Sequence, residues 1–182
     1  MGEAIAILGW GSLLWDRDPT FDGCHGTWMM DGPTLKIEFS RISSSRYGAL
    51  TLVIDAANGT PTQVAYCLST RATIADARDD LQKREGTRPR HIGWIAADGG
   101  GSGRDDVTVG LVRDWIAAKD FGGAIWTDLP PNFEEKSGQP FSTETAVPYV
   151  HALAEPGRTM ALEYIQRAPE FVKTPVRLAL TE

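Results

Sequence analysis

Four strand-like segments crowd the first 68 residues, ahead of the first convincing helix, and this spacing constrains the fold more than any other feature. Residues 4–8, Ala-Ile-Ala-Ile-Leu, form a short continuous apolar run stopped by Gly9, the pattern of a buried strand. Leu35, Ile37 and Phe39 alternate with Lys36 and Glu38, which predicts a strand with one buried and one wet face. Residues 50–54 read as a third strand and residues 63–68 as a fourth, joined through the turn Asn58-Gly59. Strands this close together imply a meander or small barrel. Alternating βαβ units would need a helix between each pair.

The first helix is bounded by local signals. Thr73 can cap it, Asp76 suits its first turn, Lys83 and Arg84 suit its last, and Gly86 stands just past its end. Ile74, Ala77 and Leu81 define one apolar stripe. At about 100° per residue Glu85 returns to nearly the angle of Ile74, so it lies on that inward face. Asp76, Asp79, Asp80 and Lys83 fall on the opposite side. Residues 91–97 resemble another strand, and residues 99–103 (Gly-Gly-Gly-Ser-Gly) a flexible loop that lacks the following Lys-Ser or Lys-Thr of a P-loop.

A helix over residues 106–119 is expected to bury Val107, Leu111 and Trp115. Residues 124–126 suggest a strand, and the Pro130-Pro131 pair makes residues 129–132 irregular. Helical patterns return over 143–153, where Pro148 marks a bend or a fresh start, and over 158–168. Residues 174–180 alternate in the manner of a strand that closes a sheet. With no repeat and no linker, the expectation is one α+β domain over residues 1–182. Its core, residues 4–97, is a small mixed β-barrel or strongly curved sheet with flanking helices, and residues 98–182 are a helical elaboration.

Eighteen Lys and Arg against 24 Asp and Glu leave a formal charge of −6, with no basic cluster to offset it, which argues against nucleic acid as a partner. No apolar run approaches the roughly 20 residues that span a bilayer, so no membrane partner is expected. The apolar start lacks a basic flank and soon meets Asp16, Arg17 and Asp18, unlike a signal peptide. Cys24 and Cys67 lie far apart and outside any C-x-x-C pattern, as expected of two reduced thiols in a cytoplasmic protein.

The segment richest in chemistry is Gly9-Trp10-Gly11-Ser12-Leu13, at the end of the first strand. Gly-x-Gly-Ser after a strand leaves several backbone N–H groups near a turn, where an anion can bind. A dinucleotide fingerprint does not fit: Leu14 takes the third glycine position, and Asp16, Asp18 and Pro19 end any helix within two turns. A plain tight turn is the competing reading. The loop, however, resembles the aromatic-Gly-Ser-Leu loop that opens the gamma-glutamyl cyclotransferase-like family, above all its glutathione-degrading branch, in which a Trp likewise follows. Residues 32–41, Ser43-Ser44-Ser45-Arg46, residues 50–53 and residues 64–66 are similar to that family's successive core strands. Leu81-Gln82-Lys83-Arg84-Glu85 is similar to its Leu-x-x-x-Glu segment. The resemblance spans about residues 4–97.

This resemblance implies an enzyme that releases 5-oxoproline from a small gamma-glutamyl amide or peptide. The substrate's α-amine attacks its own side-chain carbonyl, so the protein need only fold the substrate and manage protons. Glu85 would be the catalytic acid and base, a role that suits a carboxylate whose pKa burial raises. Gly9, Trp10, Gly11, Ser12 and Leu13 would hold the glutamyl end, through backbone N–H groups and the Ser12 hydroxyl. The reaction calls for no cofactor and no metal. Trp10 departs from the family's usual Tyr, replacing a phenol with an indole that only donates.

Two other readings stand beside it: a fold relative that binds an amino-acid-like ligand without turnover, and an amide-bond enzyme with another substrate. For Glu85 the competing role is a helix-end side chain that turns to solvent or pairs with Arg84 or Arg90. His25, His91 and His151 are too scattered to predict a metal site. Cys24 beside His25 reads as a small thiol, since chain neighbours point apart, and the tryptophans read as core and pocket walls. Arg41 and Arg46 suit either a substrate carboxylate or structural ion pairs. The leaving amine and the oligomeric state stay open.

Overall fold

The computed structural model describes residues 2–181. Its strands are β1 (Ile5–Gly9), β2 (Thr34–Ser43), β3 (Ala49–Ile54), β4 (Thr60–Gln63), β5 (Ala65–Leu68), β6 (Ile92–Ala96), β7 (Gly101–Ser102) and β8 (Gly123–Thr127). The helices are α1 (Pro19–Asp22), α2 (Ile74–Glu85), α3 (Asp106–Lys119), α4 (Phe133–Ser137), α5 (Thr143–Ala152), α6 (Gly157–Arg167) and α7 (Pro175–Thr181). The fold is mixed α+β. Among the described residues the strands form two separate sheets, of five and three strands, and no closed barrel. None of the described helices is long and apolar enough to cross a membrane.

The chain divides into two compact units. The first holds residues 1–9, 16–35 and 63–129, and the second residues 10–15, 36–62 and 130–182. In the first, the strand order is β5-β1-β8-β6-β7, with β1 parallel to β8 and the other pairs antiparallel. β1 is buried along its whole length, as its unbroken apolar run requires of an interior strand. Helices α2 and α3 both pack against β6 and β8. Residues 98–129, expected to be elaboration, supply β7, α3 and the central strand β8. The glycine run expected as a flexible loop is a hairpin, in which Ala96 N–H donates to Gly100 O and β7 pairs with β6.

Helix α3 has the expected limits but the other stripe. Thr108, Val112 and Ile116 are buried, whereas Val107 and Leu111 are 68% and 43% exposed. Both stripes have i, i+4, i+8 spacing, so periodicity alone cannot choose between them. Asp105 settles the helix start by accepting from the N–H groups of Val107 and Thr108.

The second unit is built on the order β3-β2-β4, so β3 and β4 flank β2 and the Asn58-Gly59 turn does not make a hairpin of them. The expected strand over 63–68 is divided at Val64: β4 belongs to this sheet and β5 to the other. Helix α6 packs against β3, and α5, α6 and α7 pack on one another. Residues 174–180, expected as a sheet-closing strand, form α7 instead. Thr174 Oγ1 accepts from Arg177 N–H, and Pro175 takes the first helical position, where its missing N–H costs nothing. Helix α5 runs through Pro148 without a fresh start.

β2 differs from its alternating pattern in one respect that matters. Glu38, expected on the wet face, is buried. Its carboxylate accepts from Phe39 N–H at 2.7 Å and from the Thr174 hydroxyl and Val176 N–H at the start of α7. Burial pushes its pKa above the ordinary 4.5, and the nearby Asp55 charge adds to the rise. A raised folded-state pKa means that the native state holds the proton more tightly than the unfolded chain. The resulting stabilisation is complete below about pH 4.5 and fades as pH climbs through the folded value. Glu38→Gln removes this titration. Urea unfolding from pH 4 to 8 should therefore show the variant gaining on the wild type as pH rises. A constant difference across that range would rule out the linkage.

Candidate active site

The loop after β1 tightens into a 3-10 turn over Ser12–Leu14. Its first internal bonds run from Leu14 N–H to Gly11 O at 3.0 Å and from Trp15 N–H to Ser12 O at 3.2 Å. The N–H groups of Ser12 and Leu13 precede those bonds, and no side chain caps the turn. Trp10 is buried at 5% exposure, Leu13 is buried, and Gly11 and Ser12 are half-buried.

What meets this loop in the second unit is Tyr164 of α6. A Cβ built on Gly11 would lie 2.7 Å from the Tyr164 hydroxyl oxygen, so glycine is what lets the phenol reach the loop backbone. The Tyr164 ring packs edge-on against Trp15 at 5.2 Å and Phe39 at 6.1 Å between centroids. The Arg46 guanidinium lies 5.0 Å from the Tyr164 centroid and that of Arg167 lies 5.9 Å from the Trp15 centroid, both within cation–π range. Arg167 also donates to Trp15 O at 3.4 Å. Arg41 instead donates to Pro130 O at 2.6 Å. Sequence reading missed Tyr164 and Arg167. Nothing local marks them, because they meet residues 11–15 only through the packing of α6.

In the first unit, α2 has the expected limits. Thr73 accepts from Asp76 N–H at 3.1 Å, and Gly86 closes the helix with a left-handed φ of 58°. Ala77 and Leu81 are fully buried, and Glu85, next at the same four-residue interval, is the last helical residue and half-buried. Its neighbour Arg84 donates to Asp16 O at 3.0 Å. On the same helix half-buried Asp80 is gripped by Arg71 through two bonds, at 2.6 and 3.0 Å, which hold its carboxyl below the usual range. Among the acidic residues of α2, Asp76 and Asp79 are exposed, whereas Asp80 and Glu85 are half-buried.

Gly9 and Glu85 belong to the first unit, and Trp10, Gly11, Ser12 and Leu13 to the second. Both cysteines are free thiols; Cys67 is buried, and burial pushes its pKa up. Among the described residues no group of three or more His, Cys, Asp or Glu side chains is placed to hold a metal ion. No protein-family model and no curated protein matches the chain.

Proposed function

We propose that the protein is a gamma-glutamyl cyclotransferase-like enzyme that releases 5-oxoproline from a small gamma-glutamyl amide or peptide, with Glu85 as general acid and base. The observation that carries this reading is the contact between Gly11 and Tyr164. Trp10 removes a phenol from the loop, and α6 returns one to the loop backbone. A further support is the half-buried position of Glu85 at the end of α2.

The chemistry balances with these groups. The substrate's α-amine nitrogen bonds to the side-chain carbonyl carbon and loses a proton to the Glu85 carboxylate. The bond from that carbon to the leaving nitrogen then breaks as Glu85 returns the proton to it. Backbone N–H groups at Ser12 and Leu13 are donors suited to the transient oxyanion.

A panel of gamma-glutamyl compounds, assayed for 5-oxoproline on purified protein, tests the proposal. Release from at least one small gamma-glutamyl amide is expected. Saturable binding without 5-oxoproline would instead favour the non-catalytic ligand binder. The same panel tests selectivity. An indole is larger than a phenol and accepts no hydrogen bond, so glutathione should be a poorer substrate than smaller or more apolar gamma-glutamyl amides. Trp10→Tyr should shift the ratio of the two kcat/KM values toward glutathione, by roughly the 10- to 200-fold range of single pocket groups. An unchanged ratio would mean that Trp10 only packs in the core.

A further inference from the structure

A concave site lies in the second unit, lined by none of the loop residues 9–13. It is a cavity of about 320 Å³, lined in part by Ser40, Asp55, Phe133, Glu134, Glu135 and Phe141. Its origin is an irregularity in β2. Glu38 pairs with Val53 and Arg41 with Thr51, so Phe39 and Ser40 together face the single residue Leu52. One extra residue in a strand is a β-bulge, a device that re-aims side chains. Asn132 holds the bulged strand from outside, donating its N–H to Ser40 O, accepting from Ile42 N–H at 2.7 Å and donating from its amide to Ile42 O.

The bulge leaves an unsatisfied group in the cavity wall. Ser40 is 0% exposed, and its hydroxyl has no hydrogen-bond partner among the described residues. A buried hydroxyl without a partner is costly and calls for a ligand atom or an ordered water. Asp55, 2% exposed, lines the same cavity. Its Oδ1 accepts from the N–H groups of Ala57 and Asn58, while among the described residues Oδ2 accepts only from the Asn58 amide, at 3.3 Å. A carboxylate has about four acceptor positions, so Oδ2 can take a further donor. Glu134 and Glu135 stand at the rim on α4, Phe133 and Phe141 offer two rings packed edge-on at 5.4 Å, and no Lys or Arg lines the wall.

Acceptor oxygens, negative charge and aromatic rings together suit a ligand that donates hydrogen bonds and carries positive charge on a short apolar body. From this we infer that the cavity binds a small primary alkylammonium ion. The ammonium donates to Asp55 Oδ2 and to Ser40 Oγ, and its carbon chain lies against Phe133 and Phe141. A divalent metal is disfavoured, because these carboxylates do not converge into a ligand set.

The test titrates the full chain with n-butylammonium chloride, n-butanol, sodium butyrate and magnesium chloride at constant ionic strength, followed by calorimetry and backbone NMR. Saturable binding of n-butylammonium alone is expected, with shifts centred on Ser40, Asp55 and Phe133. Ser40→Ala should keep the melting temperature and weaken binding about tenfold, the worth of a charge-assisted hydrogen bond. Glu134→Gln with Glu135→Gln, both on the exposed rim, should weaken it a few-fold and reduce its sensitivity to salt. Equal binding of n-butanol, displacement by magnesium, no saturable binding, or undiminished affinity in both variants would each overturn the assignment. None of these outcomes bears on release of 5-oxoproline, which does not require this cavity.

Discussion

Glu85→Gln is expected to lower the turnover of a gamma-glutamyl substrate about 100- to 10,000-fold, the usual contribution of a positioned proton-transfer group. The amide has nearly the size of the carboxylate but can neither take the proton from the attacking amine nor return it to the leaving nitrogen. Folding and substrate binding should survive, because Glu85 is the last residue of α2 and the caps at Thr73 and Gly86 are untouched. The informative measurements are therefore single-turnover 5-oxoproline release and, separately, ligand affinity. A fall in kcat with affinity retained supports proton transfer as the lost function. Near-normal turnover removes Glu85 from the chemistry.

Trp126→Ala should cost about 3–5 kcal/mol of folding stability, the range for deleting a large buried aromatic. Trp126 is fully buried on β8, the central strand of the five-stranded sheet, and pairs in register with Gly93 on β6. Its indole lies over that glycine so closely that a Cβ on Gly93 would stand 2.2 Å from ring atom Cε2. Among the described residues the indole Nε1 has no hydrogen-bond partner, so the loss is one of packing. Gly93→Ala in the wild type is expected to overpack the same contact and cost about 1–3 kcal/mol. In the double variant the two costs should not add, because Trp126→Ala vacates the space that the new methyl needs. Urea unfolding of the four proteins tests this, and strictly additive losses would show that the two residues do not compete for volume.

Helix α2 shows how much a local signal can carry. Its cap at Thr73, its acidic first turn, its left-handed Gly86 and its buried Ala77 and Leu81 all lie between residues 73 and 86, and the structure has all four. The strand expected over residues 4–8, found at Ile5–Gly9, and the tight turn after it are of the same kind, since an unbroken apolar run and two glycines constrain the backbone where they stand.

Tertiary structure decided what local pattern left degenerate. The two stripes of α3 have identical spacing, and only docking against β6 and β8 selects Val112 over Leu111. The run at 63–68 looks like one strand, yet Gln63 ends β4 while residues 65–68 form β5 in the other sheet, because pairing partners are distant in sequence. Glu38 is charged in the sequence and buried in the fold, since its hydrogen-bond donors at 174 and 176 arrive only with α7. Likewise the Gly-x-Gly-Ser loop was readable, but not that its middle glycine makes way for the hydroxyl of Tyr164. By itself the sequence determined backbone turns and helix ends, which depend on near neighbours. Which faces are buried, how the strands are shared between sheets and which distant side chains complete a site depend on long-range packing, and only the tertiary structure decided those.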